Sequence, residues 1–166
     1  MVYINSMKNA FLIIMLLVTS VSWGQMCIEG DCVDGNGTSV NSEGGKYIGS
    51  FKIGLPHGSG VFEYVNGDRY QGEFLDGLPH GHGSYLWLNG DEYNGKFFQG
   101  MQHGDGSIIY SSGHQYIGQF ANNMPHGDGI CIVSLVERID TFKVGFADKS
   151  KPKKIKCKWI NGNLVE

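Results

Sequence analysis

The sequence predicts an all-β protein: an elongated, single-layer antiparallel β-meander, solenoid-like, ending in an irregular C-terminal capping segment. Three observations predict it. Tyr47, Tyr70, Tyr93 and Tyr116 recur every 23 residues, and self-similarity at a fixed period marks units that pack only on their neighbours. The 166 residues include 26 Gly but only 4 Pro, against a usual glycine share of ~7%. A glycine inside a helix costs about 1 kcal/mol relative to alanine, so long helices are disfavoured. The scarcity of proline excludes collagen-like and Pro-rich chains. Finally, apolar and polar residues alternate in short runs, the period of a half-buried strand. With 12% aromatic residues, such a chain can bury enough surface to fold.

Residues 1–24 read as a secretory signal peptide. Met7-Lys8-Asn9 supplies a positive start, an apolar run follows through Val21, and Ser22 and Gly24 place small residues at the minus-three and minus-one positions of a cut before Gln25. The run is shorter than the ~20 apolar residues of a spanning helix, although an uncleaved N-terminal anchor remains the alternative. Residues 25–46 read as a degenerate first repeat: Gly35, Gly37 and Gly44 fall 23 residues before Gly58, Gly60 and Gly67, with Asp34 where a His would stand.

Residues 47–134 form four clear units. Gly49, Gly72, Gly95 and Gly118 travel with the tyrosines, as do Phe51, Phe74, Phe97 and Phe120. His57, His80, His103 and His126 follow, each joined to a Gly. Each unit reads as two strands. In Tyr-x-Gly-x-Phe one face takes Tyr70, Gly72 and Phe74 while Gln71 and Glu73 take the other. The second strand alternates through Phe62 and Tyr64, Tyr85 and Trp87, Ile108 and Tyr110. Asn66-Gly67, Asn89-Gly90 and Ser112-Gly113 predict tight type I′ hairpins between units. The connection around Leu78-Pro79-His80-Gly81 reads as a longer turn.

Residues 135–166 depart from the pattern and read as a β cap. Phe142, Val144 and Phe146 alternate with polar or small residues, and Ile155, Cys157 and Trp159 alternate with lysines. Lysines on a terminal strand discourage edge pairing. The same residues, Lys151, Lys153, Lys154, Lys156 and Lys158, form a candidate basic patch for anionic lipid or another acidic partner. The charge is indeed polarised: residues 25–142 carry 14 Asp/Glu against 5 Lys/Arg, whereas 143–166 carry 7 Lys against two acids. Export and the acidic body both argue against nucleic acid as a partner.

The units YQGEFLDGLPHGHGSYLWLNGDE and YNGKFFQGMQHGDGSIIYSSGHQ resemble MORN repeats (membrane occupation and recognition nexus). The resemblance covers residues 47–134 and, loosely, 27–46. It implies a twisted β-meander with roles in scaffolding, dimerisation or lipid-surface contact, and no catalysis within the repeats.

A one-layer sheet cannot hide both faces, so exposed aromatics on it favour contact. The candidate interaction face comprises Tyr47, Phe51, Tyr70, Phe74, Tyr93, Phe97 and Tyr116 from first strands. Phe62, Tyr64, Tyr85, Trp87 and Tyr110 join it from second strands. The expected partner is a protein or a second copy of the chain. Four cysteines in an exported chain are disulfide candidates. Pairing Cys27 with Cys32 and Cys131 with Cys157 would staple both ends of the solenoid, one of three possible connectivities. No metal or cofactor is expected. Strands stand ~4.8 Å apart, so repeated histidines about 10 Å apart cannot share an ion. No nucleophile, base and orienter recur together, and no small-molecule substrate is evident. The chain reads as non-catalytic, exported to the periplasm, the cell envelope or the exterior.

Overall fold

Turn-punctuated alternation builds one open antiparallel sheet in the computed structural model, which describes residues 25–133, 153–160 and 162–165. The strands are β1 (Met26–Gly30), β2 (Asn36–Val40), β3 (Lys46–Lys52), β4 (Leu55–Glu63), β5 (Arg69–Leu75) and β6 (Leu78–Leu86). They continue as β7 (Glu92–Phe98), β8 (Met101–Ile109), β9 (Gln115–Ala121), β10 (Met124–Val133), β11 (Lys153–Ile160) and β12 (Asn163–Leu164). Their order in the sheet is their order in the sequence, so the meander has no crossover. The expected signal segment, the strand through Phe142, Val144 and Phe146, and Lys151 lie outside the described residues.

The core is built by rings lying on the sheet that carries them. Gly72 pairs with Gly83 across β5 and β6, and the ring of Tyr70 folds back over this pair. A Cβ on Gly72 would stand 2.6 Å from the Gly83 Cα and 2.5 Å from the Tyr70 hydroxyl oxygen. Only glycine admits the ring there. The Tyr70 hydroxyl donates to the Glu73 carbonyl at 2.8 Å, with the His80 carbonyl at 3.4 Å beside it. Phe74 and Phe97 then stand edge-on to Tyr70, with ring centroids 5.0 and 4.8 Å away. The same Tyr–Phe alternation runs through Tyr47, Tyr93 and Tyr116. A single layer thus buries these four tyrosines to 0–1% exposure. Edge-to-face pairs of this kind add about 0.5–1.5 kcal/mol each beyond area burial.

The two kinds of turn exchange the roles expected of them. The tight two-residue connections are Ile53-Gly54, Asp76-Gly77, Gln99-Gly100 and Asn122-Asn123, with both residues at positive φ, as in 50° and 86° for Asp76 and Gly77. This is type I′ geometry. At Asn66-Gly67 only the glycine is at positive φ. Gly67 N donates to the Tyr64 carbonyl and Tyr64 N to the Asp68 carbonyl, both at 2.9 Å, which closes a three-residue loop. The segment read as a longer turn, Leu78-Pro79-His80-Gly81, lies inside β6. There two extra residues bulge between the Gly72–Gly83 and Glu73–His80 pairs, which presents the His80 carbonyl to Tyr70.

The C-terminal segment resumes the repeat instead of departing from it. Ile155, Cys157 and Trp159 pair with Cys131, Gly129 and Gly127, the register in which Tyr70, Gly72 and Phe74 pair with Phe62, Gly60 and Gly58. Gly162 N donates to the Pro125 carbonyl at 3.2 Å, as Gly77 N does to that of Pro56 at 2.9 Å. Residues 153–160 and 162–165 therefore resume a half-unit, displaced along the chain by an insertion. Ile155 replaces the tyrosine, so no ring covers the glycine position and Cys157 is tolerated there.

Candidate functional site

The structure divides the expected aromatic face in two. Tyr47, Tyr70, Tyr93 and Tyr116, with Phe51, Phe74 and Phe97, are at most 5% exposed. They belong to the core, because their rings cover the glycine pairs and one another. They present no contact surface, which corrects that half of the expected face. The residues left half-exposed are Phe62, Tyr64, Tyr85, Trp87 and Tyr110, packed against the core from one side. They mark a stripe where second strands run into the three-residue loops.

Within the stripe, ring centroids are 4.6 Å apart for Phe62 and Tyr64, 5.5 Å for Tyr64 and Tyr85, and 4.7 Å for Tyr85 and Trp87. Beneath it lies Asp68, 7% exposed. Its carboxylate accepts the Tyr85 hydroxyl at 2.8 Å, the Leu88 N–H at 2.9 Å and the Asn66 amide at 2.8 Å. Burial pushes the Asp68 carboxyl up, but these three donors outweigh it and hold the group below its ordinary value. Asp91 accepts the Ser111 N–H and the Asn89 amide one unit later, and these hold its carboxyl down too. Each aspartate ties its own loop to the next one. Burial, then the negative charge of Asp68 or Asp91, pushes Tyr64 and Tyr110 up; burial, then the hydrogen bond to Asp68, does so for Tyr85. The stripe therefore presents phenols, that of Tyr85 anchored by the buried Asp68 carboxylate, a surface for apolar contact and hydrogen bonding. A groove of about 280 Å³ opens beside it between Asn41, Gly45, Phe62, Tyr64 and Val65.

The basic patch lies elsewhere. Lys153, Lys154, Lys156 and Lys158 are exposed on β11. The last three share the face opposite the tyrosines, beside Ile132, Ile130 and Asp128 of β10. Cysteine sulfurs come to disulfide distance in two pairs, Cys27 with Cys32 and Cys131 with Cys157. The Cys32 sulfur lies over Gly37, 2.9 Å from where its Cβ would be, in the role a tyrosine ring plays in the regular units. Both pairs thus sit where the Tyr–Gly–Gly arrangement is interrupted.

His57, His80, His82, His103 and His126 stand within strands, at the bulges. His57 Nδ1 lies 3.9 Å from Asp76 and His82 Nδ1 lies 3.8 Å from Glu73, while His80 and His103 face the ring of Phe98. Among the described residues no group of three or more His, Cys, Asp or Glu is placed to hold a metal ion. Nor is any helix there long and apolar enough to cross a membrane.

Sequence reasoning missed three things that carry the site. The Asp68 and Asp91 ties were visible as aspartates 23 residues apart, each one residue after a loop Asn-Gly. The half-unit was visible as Ile-x-Cys-x-Trp imitating Tyr-x-Gly-x-Phe. The separation of buried from half-exposed aromatics was visible only in the Tyr-x-Gly-x-Phe spacing of the buried class, which Phe62, Tyr64, Tyr85, Trp87 and Tyr110 lack.

The family model of the MORN repeat matches residues 47–69, 70–92, 93–115 and 116–132. No curated protein matches the chain.

Proposed function

Given that the chain belongs to the MORN-repeat family, we propose that it is an exported, non-catalytic interaction module whose aromatic stripe holds a protein partner. MORN repeats are in general protein- or membrane-interaction modules, and the family is in general non-catalytic. The observation that carries the reading is the Phe62–Tyr64–Tyr85–Trp87 stripe held in place by Asp68. Half-exposed, mutually packed aromatics with phenolic handles are the residues that dominate protein interfaces. The two cysteine pairs at disulfide distance support an oxidising compartment, and the pattern of residues 1–24 supports export.

The test compares wild-type chain with a Tyr64→Ser/Trp87→Ser variant as bait in an extract of the native envelope or secreted fraction. Loss of a specific partner from the folded variant supports the stripe. Equal capture by both proteins rejects it.

The exposed Lys153, Lys154, Lys156 and Lys158 favour a second reading, an anionic lipid surface. Vesicles containing phosphatidylserine or phosphatidylglycerol should then sediment the chain at low salt. A variant with these lysines changed to Gln should stay in the supernatant; undiminished sedimentation rejects the patch.

A further inference from the structure

Among the described residues the sheet is open at both ends, and the two ends differ in charge. Between residues 25 and 45 stand Glu29, Asp31, Asp34 and Glu43 and no Lys or Arg. All four acids are exposed. Between residues 153 and 165 stand Lys153, Lys154, Lys156 and Lys158 and no acid. The first edge strand, β1, is exposed along its whole length, with Met26 68% and Ile28 54% exposed. It carries no Lys and no Pro, the residues that ordinarily blunt an edge. Its loop is pinned by the Cys27–Cys32 pair. At the other end, the one described strand beyond β11 is β12, which pairs only with Trp159 and Ile160. Val165 N donates to the Lys158 carbonyl at 2.9 Å. Lys153–Cys157 of β11 have no strand beside them there among the described residues, a stretch long enough for the five residues of β1.

We propose that copies of this chain join end to end, the β1 edge of one copy, with Glu29 on the strand and Asp31 and Asp34 in the loop after it, pairing with the lysine-lined β11 edge of the next. The faces agree as well as the charges. Glu29 pairs with Thr38, which pairs with Ile48 on the face opposite the tyrosines, and Lys154, Lys156 and Lys158 point to that same face. With matching faces the strands run parallel at the junction, because β1 and β11 are both odd-numbered in an alternating meander. The lysines oppose pairing of two β11 edges and the acids oppose pairing of two β1 edges. The surviving contact is heterologous, and such a contact extends into rings or filaments. This inference goes beyond the interaction-module reading by naming a second copy as a partner, and it uses the sheet edges and not the aromatic stripe.

Sedimentation velocity on the full chain, expressed with its own N-terminal segment and purified as the host processes it, tests the proposal. At ~20 mM salt the average mass should rise with concentration beyond two copies, and at ~500 mM salt it should fall to one, because the Debye length shrinks several-fold. An Ile28→Lys/Glu29→Lys variant and a Lys154→Glu/Lys156→Glu/Lys158→Glu variant should each stay monomeric alone. Mixed in equal amounts they should regain wild-type assembly, since each then meets an opposite edge; a merely misfolded variant would not be rescued. A monomeric wild type at low salt, a closed dimer, or assembly indifferent to salt overturns the proposal. Those results leave the stripe reading intact, and a Tyr64→Ser/Trp87→Ser variant should assemble normally whatever it does to partner capture.

Discussion

Trp159 stands edge-on to Tyr116 with ring centroids 5.9 Å apart, in the position that Phe97 takes against Tyr70 at 4.8 Å. The last buried tyrosine of the repeats is thereby covered by a strand that reaches it across an insertion. The buried indole N–H meets no acceptor among the described residues, so the ring is held by packing alone. Trp159→Ala should cost about 3 kcal/mol, the low end for a large aromatic because Trp159 is half-exposed. Trp159→Phe should stay within about 1 kcal/mol of wild type, since no hydrogen bond is lost. Urea unfolding midpoints decide between them; equal losses would deny the ring its role.

Ile53 sits at φ 52° and is 79% exposed at the first position of a type I′ turn. A β-branched side chain is strained there, and left-handed backbone costs about 1–2 kcal/mol for residues other than Gly, Asn and Asp. Ile53→Asn should therefore raise stability by about 1 kcal/mol, seen as a higher melting temperature. The Ile53 N–H to Asp34 bond at 2.9 Å is a backbone donation and survives the change. A destabilised variant would contradict this account of the turn.

Asp68 should make part of the stability acid-sensitive. Its carboxyl is held below the ordinary 3.8, against the upward push of burial, by Leu88, Tyr85 and Asn66. A depressed carboxyl contributes stability above its unfolded value and loses it as pH falls through the folded one, so the loss falls below about pH 4. Asp68→Asn should be about 1–3 kcal/mol less stable at pH 7 and should lose less than wild type between pH 5 and pH 2. Parallel acid losses in both proteins would remove Asp68 from that role.

Alkali should act through the tyrosines. Burial pushes Tyr47 and Tyr93 up to about 12, and the other described tyrosines are raised as well. A raised folded value means the contribution is whole below about 10, the unfolded value, and is lost as pH rises through the folded one. Tyrosinate absorbance should stay low near pH 10 and then rise together with loss of the sheet. Gradual ionisation around pH 10 in an intact sheet would show that the rings are not buried.

Much of the fold is legible in the sequence because one residue type announces each step. The Tyr-x-Gly-x-Phe register foretells the strands, and Gly72 and Gly83 foretell where a ring must lie. The turns are misread because Asn-Gly serves both a two-residue type I′ turn and a three-residue loop. What chose between them is the pairing of Lys52 with Leu55, a cross-strand fact. The site is less legible. Tyr70 and Tyr85 are the same residue in similar alternation, yet Tyr70 covers glycines and is wholly buried while Tyr85 lies half-exposed over Asp68. The lysines of β11 are plain in sequence, but that Glu29 stands at the opposite edge of the sheet is apparent only once β1 is seen as its first strand.

Site-specific photo-crosslinking in the native compartment tests the central claim most directly. One crosslinker replaces Trp87 on the stripe, a second replaces Ser84 on the opposite face, and a third replaces Lys156 on the basic patch. The account predicts a discrete protein adduct from position 87 that is absent from position 84. Equal labelling from 84 and 87, or adducts to lipid from position 156 with none from 87, would contradict the stripe as the working surface.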